Sequence, residues 1–290
     1  GKYLDEITHE PNNPFSISQD VVNNVYESQD GIIWLGTNGF GLNKLDPKLA
    51  RFGYIGAFPE TKITLSHMYT QAIYTPNDTL LYITVSEGLN QINFTRQTSQ
   101  TFNNRKSRRS NQFNCIMPNS SGGEIWLGSN DGLWKFKKGQ FISVRNKRLR
   151  EKIRIYQIEK TAPNILMMAT RQGTLLWNQK TDSITQLTKT YGAVNFLRMA
   201  NGFLEGSESG LREFDFNGRL KHHFKADKQQ KNSLQANVIK CIFQDSKNRI
   251  WIGSWGGGLS LFRPETHTFV HYTEANGLPN SVVYGILEDK

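Results

Sequence analysis

A repeated sequence motif predicts an all-β fold, a β-propeller of four-stranded blades. Trp-aliphatic-Gly-Thr/Ser occurs at 34–37, 126–129 and 251–254, and a Gly-Leu pair follows each copy. Weaker copies begin at Tyr82, Met167 and Leu204, so the anchor positions recur every 37 to 48 residues. Short apolar runs and glycine turns with a period of about 40 residues are typical of propellers, whose blades are four-stranded sheets.

The last full repeat shows how residues encode the strands of one blade. Residues 238–243 are mostly β-branched, aromatic or apolar and predict an inner strand. Asp, Ser and Asn within 245–248 predict a turn, because these side chains bond their own backbone. The glycines at 256–258 predict a tight reversal that needs positive φ. The other three strands are predicted at 250–254, 259–262 and 269–272. We expect Trp251 to pack between neighbouring blades, and Gly253 to leave room for the adjacent sheet.

The first repeat follows the same template, with strands predicted at 21–27, 33–37 and 42–45. Six complete repeats are predicted in all, at 16–60, 61–104, 105–146, 147–188, 189–230 and 231–275. Residues 1–15 predict the outer strand of a preceding blade, and residues 276–290 predict the first strand of a further blade. Open sheet edges promote aggregation, and the chain opens at Gly1 without Met or an apolar leader. We therefore expect a segment of a longer array.

Composition narrows the class of protein further. Hydrophobic residues make up 37% of the chain, and no run approaches the roughly 18 apolar residues of a membrane span. Membrane insertion by this segment is therefore not predicted. The only two cysteines, Cys115 and Cys241, hold the same place in the first strands of two blades, three repeats apart. A disulfide needs Cα atoms within about 7 Å, so both are predicted to be free and buried.

The repeats resemble those of the two-component regulator propeller family. That family's pattern is an inner strand, Asp-x-x-Gly, aliphatic-Trp-aliphatic-Gly-Thr and then Gly-Leu. Asp30-Gly31 with residues 33–37 meets it, and so do residues 245–254. The resemblance covers essentially the whole chain. It is specific in repeats one, three and six, and weaker in the other three, where Tyr82, Met167 and Leu204 replace the Trp.

The resemblance implies a function as well as a fold. Such propellers usually form the periplasmic sensing part of hybrid histidine kinases in gut Bacteroidetes, anchored in the inner membrane, and commonly detect oligosaccharides. It implies an oligosaccharide ligand, a homodimeric receptor and further domains of the same polypeptide as partners. No catalysis or cofactor is expected of this segment. Two alternatives stay open, a propeller lyase or glycosidase whose carboxylates converge from different blades, and a protein-interaction scaffold.

Basic residues are concentrated in one stretch of the chain. The formal net charge is +10, and residues 105–154 hold 13 Lys and Arg against three acids. Two runs, at 105–109 and 145–150, precede inner strands, where links between blades share one face with the second-to-third-strand turns. One interpretation is an anion site for a sulfated or uronic-acid oligosaccharide, because Arg pairs bidentately with such groups. The other is a solvated or interface-forming basic surface. Neither a recognition helix nor basic-aromatic interleaving accompanies the charge, so nucleic-acid binding is not predicted.

The same face supplies the remaining candidate ligand contacts. Asn and Asp are common turn formers, whereas a large aromatic residue within a glycine turn, such as Phe40 or Trp255, has no local reason to be there. His267 and His271 are predicted on one face of an outer strand, but without a nearby carboxylate or Cys ligand no metal site is predicted. The predicted ligand-binding residues are Asn38, Phe40, Arg105, Arg108, Arg109, Asp131, Arg148, Arg150, Arg171 and Trp255.

Overall fold

The computed structural model describes residues 7–13, 15–47, 51–58, 61–104, 111–119, 123–144, 146–149 and 153–288. Six four-stranded antiparallel sheets account for nearly all the regular structure of these residues, and each sheet uses four consecutive strands in chain order. The predicted fold class, an all-β propeller with four-stranded blades, is confirmed. Two compact units divide the chain, at Ile7–Ile158 and Glu159–Asp289. None of the helical segments in the described parts is long and apolar enough to cross a bilayer.

The first unit contains blades 1, 2 and 3. Each blade lies within one predicted repeat. Alternation explains the strands, as in β2, where Trp34 and Gly36 are buried and Ile33 and Leu35 are half-buried. Blade 1 consists of β1 (Val22–Glu27), β2 (Ile33–Thr37), β3 (Leu42–Asp46) and β4 (Arg51–Ile55). Blade 2 consists of β5 (Thr70–Asn77), β6 (Leu80–Val85), β7 (Gly88–Asn93) and β8 (Thr98–Phe102). Blade 3 consists of β9 (Phe113–Pro118), β10 (Ile125–Ser129), β11 (Gly132–Lys137) and β12 (Gln140–Ser143).

The second unit contains blades 5 and 6 and most of blade 4, whose first strand spans the division between the units. Blade 4 consists of β13 (Ile155–Ala162), β14 (Ile165–Thr170), β15 (Gly173–Asn178) and β16 (Ser183–Gln186). Blade 5 consists of β17 (Asn195–Met199), β18 (Gly202–Ser207), β19 (Gly210–Phe214) and β20 (Leu220–Phe224). Blade 6 consists of β21 (Ile239–Gln244), β22 (Ile250–Ser254), β23 (Leu259–Arg263) and β24 (Thr268–Tyr272).

Glycines in the second strands let consecutive blades approach closely. A Cβ added at Gly128 would lie 2.5 Å from Sγ of Cys115 and 2.7 Å from Cγ2 of Ile155, the first residue of β13. In the second unit, a Cβ at Gly206 would lie 2.8 Å from Cγ2 of Ile239, the first residue of β21. No ordinary side chain fits at these positions, which explains why the repeated motif contains glycine.

The segment after blade 6 makes the same kind of contact without forming a strand. A Cβ at Gly253 would lie 2.8 Å from Cγ1 of Val283, so Val283 takes the position that Ile239 has against Gly206. Only one isolated bridge, between Trp255 and Val282, forms in this segment. The predicted first strand at 276–290 is therefore reduced to a bridge within its described part. Residues 1–6 of the predicted leading strand lie outside the described residues, and Ile7 onward forms no strand before β1.

Apolar side chains fill the space between consecutive blades of each unit. Trp34 of blade 1 packs with Ile73, Leu81 and Ile83 of blade 2, and Leu204 of blade 5 packs with the first two strands of blade 6. The pattern follows from strand alternation, since every second residue faces the neighbouring sheet. Trp34 and Trp126 are buried as the repeat pattern indicates, with 3% and 2% of their surfaces exposed.

Trp251 is less buried than Trp34 and Trp126, and it takes part in a group of hydrogen bonds within blade 6. Its ring lies 5.7 Å from that of Tyr272 in the same blade, and its Nε1 donates to Oδ2 of Asp245 at 2.9 Å. Asp245 also accepts from the backbone N–H groups of Lys247 and Arg249 at 3.0 and 2.8 Å. Trp251 is half-buried beside its own fourth strand. It is on the side of β22 opposite to Ile250 and Ile252, which pack towards blade 5, so its place between blade 6 and a following blade stays a prediction.

Both cysteines are free, as the spacing predicts, but each is half-buried where full burial was expected, because part of its surface stays accessible on a first strand. Burial raises the pKa of Cys115 to about 12 and that of Cys241 to about 12. Each thiol packs against the glycine of its own second strand, Gly128 or Gly253. Such thiols are protonated at neutral pH and serve as small apolar side chains.

The close contact at Gly128 predicts that two similar Gly→Ala substitutions will differ greatly in their effect on the free energy of unfolding. Gly128→Ala is expected to destabilise the protein by about 1–3 kcal/mol, because its methyl group overlaps Cys115 and Ile155. Gly53→Ala on β4 is the matched control, since its Cβ would meet only Lys44, at 3.8 Å. Replacing this strand glycine is expected to be neutral or to stabilise by up to about 1 kcal/mol. Urea unfolding of both variants measures the difference, and equal effects would contradict the close-approach argument.

The environment of Asp245 makes part of the free energy of unfolding depend on pH. Burial alone would raise its pKa, but hydrogen bonds from Trp251 and Arg249, with the charge of Arg249, lower the pKa to about 2. Because the folded-state pKa is lowered, the charged carboxylate stabilises the fold above its unfolded pKa of about 3.9. That contribution is lost as the pH falls towards 2. The free energy of unfolding of wild type should therefore exceed that of Asp245→Asn most at pH 7. Urea unfolding from pH 7 to pH 3 should show this gap narrowing, and a constant gap would count against the ionic role.

Candidate ligand-binding surface

The turn between the second and third strands lies beside the link that leads into a first strand. The backbone N–H of Asn38 donates to the carbonyl of Val21 at 3.0 Å, just before β1. In blade 6 the N–H of Trp255 donates to the carbonyl of Val238 at 2.8 Å, just before β21. We call this the turn end of a blade. The predicted grouping of turns and links on one face thus holds for these blades.

Most of the predicted basic site lies outside the described residues. Arg105, Arg108, Arg109 and Arg150 are among the residues that the structure does not describe, so the anion site at these links stays a prediction. Arg148 is exposed on a 3-10 turn, Lys147–Leu149, where its backbone N–H donates to Oδ1 of Asn146 at 3.1 Å.

Asn38 and Phe40 lie at the turn end of blade 1, near three other exposed aromatic side chains. Phe40 is 48% exposed. A Cβ at Gly39 would lie 3.2 Å from the ring of Tyr69, and one at Gly41 would lie 3.4 Å from Tyr54. The rings of Tyr54 and Phe58 meet edge to face at 5.8 Å. Phe40 therefore belongs to an aromatic surface on the first unit.

The turn of blade 3 is engaged in contacts within the protein. Oδ1 of Asn130 accepts from Asn114 Nδ2 at 3.1 Å and from Nε of Arg154. Its Nδ2 donates to Gln112 Oε1 at 2.6 Å. Asp131 is half-buried, and its N–H donates to Ser129 Oγ at 3.0 Å. At Asn130 the side chain has the structural role that turn formers usually have.

A cleft in the second unit lies between blade 5 and the link that joins it to blade 4. Arg171, on the turn of blade 4, contacts the cleft residue Tyr191 without itself lining the cleft. Nε of Arg171 donates to the hydroxyl of Tyr191 at 2.6 Å, and its guanidinium lies 5.1 Å from the centre of that ring. The ring of Tyr191 is 60% exposed. The cleft, of about 640 Å³, extends from this ring along blade 5, lined by Lys189, Thr190, Tyr191, Glu208, Ser209 and Arg212, with Phe214 and Leu220 beyond them.

The floor of this cleft is held rigidly by buried polar groups. Arg212 donates to Ser207 Oγ at 2.8 Å and to Ser209 Oγ at 3.2 Å. Burial lowers the pKa of Arg212, and the charge of nearby Glu205 raises it. Glu205 is fully buried, and its Oε2 accepts from the hydroxyls of Thr174 and Thr188 at 2.5 and 2.6 Å. The cation at the cleft is therefore positioned before any ligand arrives.

None of the eight residues that line the cleft was among the predicted ligand-binding residues, including Lys189, Tyr191 and Arg212, which supply its basic groups and its exposed ring. Tyr191 stands next to Gly192, which has a φ of 70°. It thus meets the criterion that selects Phe40 and Trp255, an aromatic residue in a glycine turn. Lys189 and Arg212 carry no comparable signal, because an isolated basic residue on a link or a strand is common in any propeller.

Trp255 forms a separate aromatic position at the turn end of blade 6. Its side chain is 51% exposed, and its ring meets that of Tyr284 edge to face at 5.8 Å. Nζ of Lys240 lies 5.0 Å from the centre of the Trp255 ring and 5.8 Å from that of Tyr284. Cation and aromatic faces thus also occur together here.

The family comparison matches the parts of blades 1 and 6 that carry the repeated motif. The model for "two component regulator propeller" matches residues 16–39 and 233–256. Each range includes a first strand, the turn and a second strand. These two ranges, in blades 1 and 6, therefore carry two-component regulator propeller repeats. The other four blades share the strand order of these repeats. No curated protein matches the chain.

Solved propeller structures are similar to the whole set of repeats at low sequence identity. The extracellular domain of the hybrid two-component system BT4673 from B. thetaiotaomicron has a TM-score of 0.72 at 18% identity, covering 98% of this chain and 37% of that one. The extracellular domain of BT3049, from the same organism, has a TM-score of 0.56 at 17% identity, covering 94% and 42%. The WD40 propeller domain of Doa1 has a TM-score of 0.67 at 10% identity, covering 93% and 87%. The chain thus spans about two fifths of each of these two extracellular domains.

Proposed function

We propose that this chain is the ligand-sensing propeller of an extracytoplasmic two-component receptor, and that it binds an anionic oligosaccharide. The observation that carries the proposal is the cleft of blades 4 and 5, where the exposed ring of Tyr191 lies among Arg171, Lys189 and Arg212. The repeats and the similar solved domains support the sensory role. In such a receptor the chain lies in the periplasm and carries out no chemistry.

The cleft offers the groups that an acidic sugar requires. A tyrosine ring provides a flat apolar face for the C–H groups of a pyranose. Guanidinium groups bind sulfate and carboxylate through paired, charge-assisted hydrogen bonds. The carboxylate of Glu208 accepts hydrogen bonds from sugar hydroxyls. Because Arg212 is already held by two serine hydroxyls, binding costs little further ordering of that side chain.

Signalling requires more than this segment. A ligand shifts a receptor between two arrangements only when it binds one of them more tightly. The partners in this proposal are a second copy of the receptor and the downstream domains of the same polypeptide, including a histidine kinase. The exposed aromatic surface at Phe40, Tyr54, Phe58 and Tyr69 supports a protein contact on the first unit.

Calorimetry with oligosaccharides that share one backbone but differ in sulfation tests the proposal. We expect the sulfated compound to bind, and Arg171→Ala and Tyr191→Ala each to weaken it at least about tenfold, or about 1.4 kcal/mol. Arg198→Ala is the matched control, because Arg198 lies 5.2 Å from the ring of Phe216, another exposed Arg–aromatic pair of the same unit. Unchanged affinity in both cleft variants, or an equal loss in the control, would refute the assignment of this cleft.

A further inference from the structure

Three metal-binding side chains meet where blade 5 packs against blade 6 in the second unit. Glu213, His222 and His267 each offer one ligand atom, and these atoms all lie within 4.8 Å of one another. Nε2 of His267 is 3.8 Å from Oε2 of Glu213. The imidazole rings of His222 and His267 have their centres 3.9 Å apart. Among the described residues, this is the only group of three or more such side chains.

Strand register and turn geometry bring the three residues together. Glu213 on β19 and His222 on β20 are direct cross-strand partners, and such partners lie side by side on one face of a sheet. His267 comes from the turn between β23 and β24, where it has a φ of 54°. Phe224 packs against Phe262 and Phe269 at 5.1 and 5.6 Å, which holds the two blades in contact beside the group.

The remaining described histidines with ring hydrogen bonds face other partners. Nε2 of His223 bonds the carbonyl of Ser209 at 2.9 Å, and Nδ1 of His271 bonds Ser260 Oγ at 3.0 Å. His9 Nδ1 bonds the carbonyl of Ile17 at 2.8 Å. Within the described part of the chain, the rings of His222 and His267 make no such bond and contact one another, Phe224 and Glu213. Their ring nitrogens are therefore available to a ligand.

We propose that Glu213, His222 and His267 bind Zn²⁺ and thereby join blade 5 to blade 6. Two imidazole nitrogens and one carboxylate oxygen are a donor set that zinc accepts, with water in the fourth position. Tetrahedral bonds of about 2.0–2.1 Å place ligand atoms about 3.3 Å apart. The ligand atoms are now up to 4.8 Å apart. Small rotations of the side chains bring them to the tetrahedral separation, and both histidines are exposed and can rotate.

The site lies on the other face of blade 5 from the sugar cleft. Arg212 and Phe214 line the cleft, and Glu213, between them on β19, points to the opposite side of the sheet because successive side chains alternate. Zinc here would act as a cross-link between blades, and it is not required for the cleft of blades 4 and 5.

Zinc titration of the full chain, prepared without a histidine tag and treated with chelator, tests this inference. We expect one Zn²⁺ per chain by calorimetry. At a free Zn²⁺ concentration of 100 times the dissociation constant, the melting temperature should rise by roughly 5 °C. His222→Gln and His267→Asn should each lower the affinity at least about tenfold. Asn is well tolerated at positive φ, so His267→Asn is expected to fold normally, which circular dichroism checks.

His223→Gln is the matched control, since His223 neighbours His222 on β20 but bonds Ser209. This variant should bind zinc as wild type does. Absence of stoichiometric Zn²⁺ binding by wild type would overturn the proposal. So would full retention of zinc by the His222→Gln, His267→Asn double variant, because zinc would then be held elsewhere.

Discussion

The close approach of consecutive blades at a second-strand glycine is the constraint on which the rest of each unit depends. At Gly128 and Gly206 the first residue of the next blade lies where a side chain would otherwise project. This contact sets how near two sheets lie, and therefore which apolar side chains meet between them. It also brings each second-to-third-strand turn beside the link that enters a first strand. The turn ends, and any ligand site on them, follow from this packing.

The cleft of blades 4 and 5 shows how the close packing of consecutive blades can produce a binding surface. The turn after β14 supplies Arg171, and the link after blade 4 supplies Tyr191, whose hydroxyl accepts from Arg171. Glu205 is buried beneath, in the strand position next to Gly206, and its carboxylate is bonded to two threonines. Burial of a charge is costly unless it is hydrogen-bonded. Its bonds to Thr174 and Thr188 therefore connect the second strand of blade 5 to blade 4 and to the following link.

Local patterns in the sequence predict the strands well, because β-branched runs and glycine turns act over a few residues. The strands of blade 6 begin and end within one or two residues of their predicted bounds. Contacts between repeats are harder to predict from sequence, since they depend on strand register and on how neighbouring sheets pack. His267 illustrates this. It lies in a turn instead of on the predicted outer strand with His271, and its neighbours Glu213 and His222 come from another blade.

Hydrogen–deuterium exchange with and without a sulfated oligosaccharide is the most direct test of the binding surface, because it reports on every part of the chain in one experiment. We expect slower exchange in peptides that cover residues 171–174, 189–192 and 207–212, where turn and link meet around Arg171 and Tyr191. We expect unchanged exchange in the outer strand of blade 6, Thr268–Tyr272, which contributes no lining residue to the cleft. Protection of that strand, or of neither region while the sugar is bound, would contradict the assigned binding surface.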